Sequence, residues 1–478
     1  MQHILYRYLA MVILLVQAGL QPLIRTVPPA LPPVNPAATI VRNVGGFNPA
    51  NLSDPARRHR QTPTRTPLSL SPTLPSPTAT RTSISVLASP TLLPPNTTQT
   101  GTSLLPSPTS LPPAATQTDT VVTTATIPAT ATATPTQKPS PVPAPAGVRA
   151  MRVDYKNYAT SRAEVATGEQ NMQAAGINLV VLGAGRVEWT YFKWAGLEQY
   201  WSNDVKDSGI DFLAQDAARF GQWAQINAVI DVLSPTYILA HPGSAAINAS
   251  GQASTDLVST NELVSGNYGR LLLDMVGYLA ANYPVDSISI TELSYHIDGY
   301  GPDDLALFKA ATGRSDWPRN LDGSIDINDP SIGTWRSAAL GDYLGKAAAL
   351  AHAHGKQLYF DVGVDINNLV NAENSHGTNY GVMLQHTDKL VVWGYFGDYG
   401  FSPSKTKDLA QYLTQYGLDR IILSIGLWGP SGSTVSAADF KTAIQASQDG
   451  GIPNLWICPG SLMTASHWQV LDDLWGTH

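Results

Sequence analysis

Carboxylic acids at the ends of apolar runs are the residues here that could do chemistry. The run Ser287–Glu292 (SISITE) closes on a lone glutamate, and Asp398 sits between glycines in WGYFGDYG. Asp361 and Asp365 bracket the end of another run, Asp231 lies late in a third, and Asp154 follows Arg152 and precedes Tyr155. Two carboxyl groups facing one acetal carbon are what hydrolysis of a glycosidic bond needs: one protonates the leaving oxygen, the other attacks or activates water. Glu292 is therefore a candidate proton donor or nucleophile, with Asp398 or Asp361 as its partner. A separation of about 5 Å would retain anomeric configuration, and roughly 6.5–9.5 Å would invert it. The competing readings are structural: Gly-Asp is ordinary turn chemistry for Asp398, and Asp154 and Asp231 can organise hydrogen bonds at a rim.

Aromatic residues cluster at the same places. Trp189 and Tyr191 follow one apolar run, Tyr295 and Tyr300 follow Glu292, Trp393 and Tyr395 precede Asp398, and Trp428 and Trp456 belong to the last two runs. Indole and phenol faces stack on the C–H faces of sugar rings. Trp189, Tyr295, Trp393, Tyr395, Trp428 and Trp456, with Asp154, Tyr155 and Asp231, are thus candidate substrate contacts. His241 (in AHPG) and His296 could bond a hydroxyl or tune a carboxylate, whereas His352 and His354 look structural. No HExxH, paired CxxC or GxSxG occurs, which argues against a catalytic zinc, a metal-dependent deacetylase and a serine nucleophile; no metal or cofactor is expected. LDGSIDINDP departs from EF-hand spacing and reads as an Asx-rich turn.

These residues need a scaffold that gathers strand ends. Eight β-rich runs can be marked: Val148–Tyr155, Asn178–Gly183, Ile226–Leu233, Ser287–Glu292, Gln357–Val364, Lys389–Tyr395, Arg420–Leu427 and Asn454–Cys458. Helical stretches precede several of them, at Arg162–Ala175, Asp207–Gln222, Tyr268–Asn282 and Thr334–His354, with Gly176 and Gly355 as helix stops. Repeated helix–glycine–strand units predict a parallel sheet, and eight of them a (β/α)8 barrel. A doubly wound sheet is disfavoured because MRVDYKNYAT carries no glycine-rich phosphate turn. Insertions after the third run (Ser234–Asn267) and after the fourth (Leu293 to about Gly333) fall on the face that forms active sites in such barrels.

The chain of 478 residues carries a net charge of −7, with 14% charged residues and one cysteine, Cys458. That balance speaks against a nucleic-acid partner, and the barrel must be stable without an internal disulfide. His3 and Arg7 ahead of the apolar run Tyr8–Leu20 read as a signal peptide or membrane anchor over residues 1–25. From 26 to 147 Thr, Pro, Ser and Ala dominate and Phe47 is the only aromatic residue, the composition of a disordered Thr/Pro-rich stalk. The expected arrangement is a monomer, secreted or held at the extracellular face of the membrane or wall, with its barrel over 148–478.

The segments YILAHPGSAAINASG, NYGRLLLDMVGYLAANYPVDSISITELSY and GPDDLALFKAATGR, and the pair Trp335-Arg336 ahead of AHAHGKQLYFDV, resemble the secreted bacterial glycoside-hydrolase-like (β/α)8-barrel proteins. In that group the fourth strand reads aspartate-glycine, apolar residues, then an acid at the mouth; Asp286-Ser287 and Thr291-Glu292 stand at those positions. The resemblance implies a hydrolytic role for Glu292 and a carbohydrate substrate. The chain departs from the cellulase-like pattern, with Thr291 where an Asn precedes the acid and no glutamate in IILSIGLWG. The chitinase-like DxxDxDxE is also missing, Val285, Ile288 and Ile290 replacing its aspartates. A carbohydrate-binding or adhesion protein that has lost one acid is the alternative.

Overall fold

The computed structural model describes residues 147–153, 162–295, 297–369 and 377–476. The leader and nearly all of the stalk expected over 1–147 lie outside the described residues, as do Asp154, Tyr155 and His296. Eight parallel strands form the barrel: β1 Arg149–Val153, β2 Leu179–Arg186, β3 Gln225–Asp231, β4 Ser287–Thr291, β5 Gln357–Val362, β6 Lys389–Trp393, β7 Ile421–Gly426 and β8 Leu455–Cys458. Each pairs with the next, and β1 pairs with both β2 (Met151 beside Val180) and β8 (Met151 beside Ile457), which closes the ring. All eight expected strands are present, and closure leaves the parallel sheet without an edge.

Helices α1 Arg162–Ala174, α2 Phe212–Phe220, α3 Asn267–Asn282, α4 Pro330–His352, α5 Tyr380–His386, α6 Thr406–Leu413, α7 Ala437–Asp449 and α8 Ala465–Trp475 alternate with the strands. In α3 the buried residues Leu272, Met275, Val276 and Leu279 recur at helical spacing and make one face apolar. Side chains of Asp211, Asp329, Asn379 and Ser436 accept the first free amides of α2, α4, α5 and α7. The helix expected over Asp207–Gln222 is broken: a short helix Asn203–Ser208 stops at Gly209, whose φ is +67°, and α2 starts afresh after the Asp211 cap.

Strand alternation divides the apolar residues into two layers. Outward residues such as Ile288, Ile290, Leu358, Phe360, Leu423 and Ile425 pack with the helices in one large core. Inward residues, among them Ala150, Val181, Val229, Tyr359, Val391, Ile422 and Trp456, fill the lumen. Burying each large apolar side chain contributes about 1.5–3 kcal/mol, so these layers supply the drive to fold in a chain with no internal disulfide.

The amino-terminal rim is tied by a repeated device. The residue before each even-numbered strand accepts an amide from the start of a neighbouring odd one: Asn178 from Arg149 (2.9 Å), Asp286 from Ile226 (2.8 Å) and Asp388 from Leu358 (2.7 Å) reach back to the preceding strand, and Asn454 takes the amide of Val148 (2.8 Å), just ahead of β1. His352 adds a bond to Asp388 at 2.8 Å, consistent with its structural reading. The insertion after β3 holds a two-stranded antiparallel sheet, Ala245–Ile247 with Ala253–Val258. The one after β4 has a small core of its own: Tyr300, Phe308, Trp317, Ile332 and Trp335. Its acidic segment is a chain of Asx turns, Asp322, Asp326 and Asp329 each accepting the amide two residues on. Replacing Asp286 by Ala, which strands the Ile226 amide, should lower the urea unfolding free energy by ~1–3 kcal/mol, with Asp286→Asn recovering part of the loss.

Candidate active site

Register assembles the acids. Asp231 on β3 lies opposite Thr291 on β4, and the β4–β5 pairing of Ile290 with Phe360 puts Thr291 beside Asp361. Three neighbouring strands thus present Asp, Thr and Asp at the carboxyl end of the lumen, above the bonded pair Asn227–Ser287 (2.8 Å). The Thr291 hydroxyl donates to the Asp361 carboxyl. Thr291 faces inward, so simple alternation would send the next side chain out among the helices. Glu292 instead takes a left-handed backbone, φ +68°, in a tight turn whose Ser294 amide returns to the Glu292 carbonyl at 3.1 Å. For a residue with a Cβ that conformation costs about 1–2 kcal/mol and persists only where its surroundings impose it. Glu292 is half-buried, and its charge acts on both Asp361 and Tyr399.

The imposing element is a buried arginine. Arg336, from α4, donates to the carbonyls of Tyr295 (2.9 Å) and Asp298 (3.0 Å), and its guanidinium lies 5.1 Å from the Tyr300 ring centre. Tyr295 is fully enclosed beneath it and donates its hydroxyl to the Val258 carbonyl at 3.0 Å. Tyr295 is accordingly a part of the core rather than the sugar contact expected from its position after β4. It pins the loop that carries Glu292.

Across the mouth, Trp393 and Tyr395 at the end of β6 stack at 5.9 Å, Tyr395 stacks on Tyr399 at 6.1 Å, and Trp428 after β7 meets Tyr395 edge-on at 5.1 Å. Asp398 lies half-buried in the short helix Phe396–Tyr399. Gly397 allows this turn, because a Cβ there would stand 2.4 Å from the Trp428 carbonyl oxygen. Burial chiefly, then the charges of Asp398 and Glu292, raise the Tyr399 hydroxyl. Trp393, Tyr395, Trp428 and Trp456 are only 2–8% exposed and form a lumen wall more than a free-standing platform.

Beside β2 the arrangement differs. Gly185, at φ +114° and too close to the Trp189 carbonyl for any Cβ, lets the strand end fold into a hairpin whose turn is Val187–Glu188. Arg186 pairs with Asp231 at 2.8 Å, both buried, and lies 5.7 Å from the half-exposed Trp189 ring. Asp231 is thereby a structural partner of an arginine, a correction to its expected role as a substrate contact. Glu188 accepts the Tyr237 amide at 2.7 Å, and burial pushes its carboxyl up to about 7 against the pull of that amide and of Arg186. No sequence signal marked Glu188 beyond its place just past a strand end. His241 is exposed, stacked on Tyr237 at 4.4 Å in the insertion after β3, and Asp365 accepts the Asn367 amide in a turn. Among the described residues no group of three His, Cys, Asp or Glu side chains is arranged to hold a metal ion.

Asp361 is 4% exposed. Burial pushes its carboxyl up to about 7; Arg152 and the Thr291 hydroxyl pull it down, and Glu292 pushes it further up. Its Oδ1 has no hydrogen-bond partner among the described residues. Environments that drive neighbouring carboxyl groups apart are how acid and base roles become separated in one site.

A closed parallel (β/α)8 barrel with carboxyl groups from β4, β5 and the β6 end at its carboxyl-terminal mouth is the enzyme-type architecture. Among solved structures, the chain is similar to the glycoside hydrolase domain of PgaB (BpsB) from Bordetella bronchiseptica (TM-score 0.54, 14% identity, 70% of this chain and 99% of that one). It is also similar to a beta-galactosidase from the psychrophilic Marinomonas ef1 (TM-score 0.51, 12% identity), covering 68% of this chain and 59% of that one. At such identities the likeness is one of fold: the chain shares their TIM-barrel architecture. No family model and no curated relative matches it.

The raised Asp361 carboxyl has a consequence for stability. The folded state holds this proton more tightly than the unfolded chain does, so the linked stability is complete below the ordinary value of 3.8 and is lost as pH rises through about 7. Asp361→Asn cannot titrate. Its melting temperature relative to wild type should therefore climb between about pH 5 and about pH 8, by ~3 °C or more in calorimetry.

Proposed function

We propose that this protein is a glycoside hydrolase acting outside the cell on a polysaccharide or glycan, with Glu292 and Asp398 as the carboxyl pair that meets the substrate. The observation that carries the reading is the left-handed Glu292, which turns an acid out of strand alternation and over a mouth that holds a second and third carboxyl group and a tier of aromatic rings. The charges of Glu292 and Asp398 both act on Tyr399, and both residues are more open to solvent than Asp361. Trp393, Tyr395, Tyr399 and Trp428 would guide a sugar ring between them, and Trp189 would meet a neighbouring unit on the β2 side. The fold neighbours, a glycoside hydrolase domain and a beta-galactosidase, agree with this class of chemistry. The extracellular setting rests on the apolar run Tyr8–Leu20 after His3 and Arg7, and on the Thr/Pro-rich composition that follows.

A second reading, a carbohydrate-binding protein without turnover, is favoured by one feature: β7 offers Ser424 and Gly426 to the lumen where a second acid could have stood. The full chain incubated with a panel of glycans, with new reducing ends as the readout, separates the two. The expected result is turnover that falls by ~10²–10⁴-fold in Glu292→Gln and in Asp398→Asn. Binding without turnover in wild type would establish the second reading instead. The anomer of the first product, read by NMR, then tells whether water attacks directly or after a glycosyl-enzyme intermediate.

A further inference from the structure

We propose that the insertion after β3 is a positioning element for Glu292. It acts through a clasp on the insertion after β4, in which Asp304 is the central acceptor and Tyr295 the link to the mouth. The inference rests on the hydrolase reading of Glu292 and deepens it, by naming residues away from the acids that orient one of them.

Four hydrogen bonds with both partners in the insertions join the two. The Tyr300 amide donates to the Ile247 carbonyl at 2.7 Å, and the Tyr295 hydroxyl to the Val258 carbonyl at 3.0 Å. The Ser259 hydroxyl donates to Asp303 Oδ2 at 2.5 Å, and the Asn261 amide to Asp304 Oδ1 at 3.0 Å. Three of these bonds fall on the short stretch Val258–Asn261. Val258 is paired with Ala245 in the small antiparallel sheet, and the next residue, Ser259, caps the helix Thr260–Ser265 by accepting the Glu262 amide at 3.0 Å. The Val258 carbonyl is therefore held by the sheet on one side and, through its neighbours, by the two acids of the helix Pro302–Thr312 on the other. Asp304 is fully enclosed. Gly299 shows how closely the parts meet: a Cβ there would stand 3.3 Å from the Tyr295 ring and 3.4 Å from both the Arg336 guanidinium and the Thr260 hydroxyl.

Tyr295 is thus gripped at both ends, its hydroxyl by Val258 and its carbonyl by Arg336 at 2.9 Å. Only Leu293 and Ser294 separate it from Glu292, and the Ser294 amide closes onto the Glu292 carbonyl at 3.1 Å. A left-handed residue with a Cβ relaxes unless its neighbours are held. Releasing the clasp draws Val258 away from the Tyr295 hydroxyl, frees the turn and returns Glu292 to an extended backbone, where alternation directs it away from the lumen. The clasp consequently governs the aim of the acid rather than the affinity for substrate.

The test uses the full chain and the glycan found to be cleaved. Burial, then the charge of Asp303, push the Asp304 carboxyl up to about 7, so the amide of Asn is a close stand-in for its neutral form. Asp304→Ala should lower kcat by ~10–100-fold while KM changes less than about threefold, and Asp304→Asn should restore most of the loss. Tyr295→Phe, which removes only the hydroxyl, should lower kcat in the same way. Combined with Asp304→Ala it should cost little more than the larger single loss, because both act along one path. Hydrogen exchange over Leu293–Tyr295 supplies a readout independent of turnover: it should quicken by about tenfold or more in Asp304→Ala and in Tyr295→Phe, with exchange in β7 unchanged. Additive losses in kcat, or exchange over Leu293–Tyr295 as slow as in wild type, would overturn the positioning role; if Asp304→Ala does not fold, Tyr295→Phe decides by the same exchange measurement. Glu292→Gln distinguishes the two levels of argument. If it retains wild-type turnover, or if wild type cleaves no glycan, the hydrolase reading falls and the inference falls with it; if it is inactive while Asp304→Ala and Tyr295→Phe behave as wild type, only the inference fails.

Discussion

A β-strand sends successive side chains to opposite faces, and a closed ring of eight parallel strands turns that rule into a constraint on the whole molecule. Every inward position must be compatible with seven others in a narrow lumen, and every outward one with a helix. In β4 the rule is obeyed residue by residue: Ile288 and Ile290 join the helix-facing core, while Ser287, Ser289 and Thr291 take the lumen side. The proposed chemistry begins where the rule is broken. Glu292 is the first residue past the strand, and its left-handed backbone exempts it from alternation.

Maintaining that exception requires structure elsewhere. The loop behind Glu292 is buttressed by Arg336, which donates to the backbone carbonyls of Tyr295, Asp298 and Gly299 and lies against the rings of Tyr295, Tyr300 and Trp335. A guanidinium with five donors in a fixed fork suits this task, since it can satisfy several carbonyls of one irregular segment at once. The large insertion after β4 thus serves the mouth indirectly: its helix and small aromatic core bring α4 and Arg336 against the loop.

The barrel itself was legible in the sequence because each strand is a compact apolar run and several helices end near a glycine or begin at a capping side chain; all eight strands fall within a few residues of where the pattern puts them. The acids of β4, β5 and the β6 end were legible for the same reason, since strand ends converge. What the residues could not disclose depends on partners far along the chain. Asp231 meets Arg186 across 45 positions, and Tyr295 is covered by Arg336 across 41. A tyrosine just after a catalytic-type strand end looks the same in sequence whether it faces a ligand or the core. Glu188 went unmarked because its surroundings arise from a hairpin that Gly185 permits, and the positive φ of Glu292 has no local signature at all, the residue being neither glycine nor asparagine.

At the opposite rim, Arg149 in β1 donates to the Trp475 carbonyl in α8 at 2.7 Å and lies 5.7 Å from that indole ring. The first described strand and the last helix are therefore fastened to one another, with β1 held between β2 and β8 like any other stave. Mechanically the ring has no beginning: the order in which the polypeptide visits its staves could be rotated, by joining the two ends and opening a surface turn elsewhere, without disturbing a contact at the mouth. Whatever is attached at either end is delivered to the same rim, a full strand length from the opening.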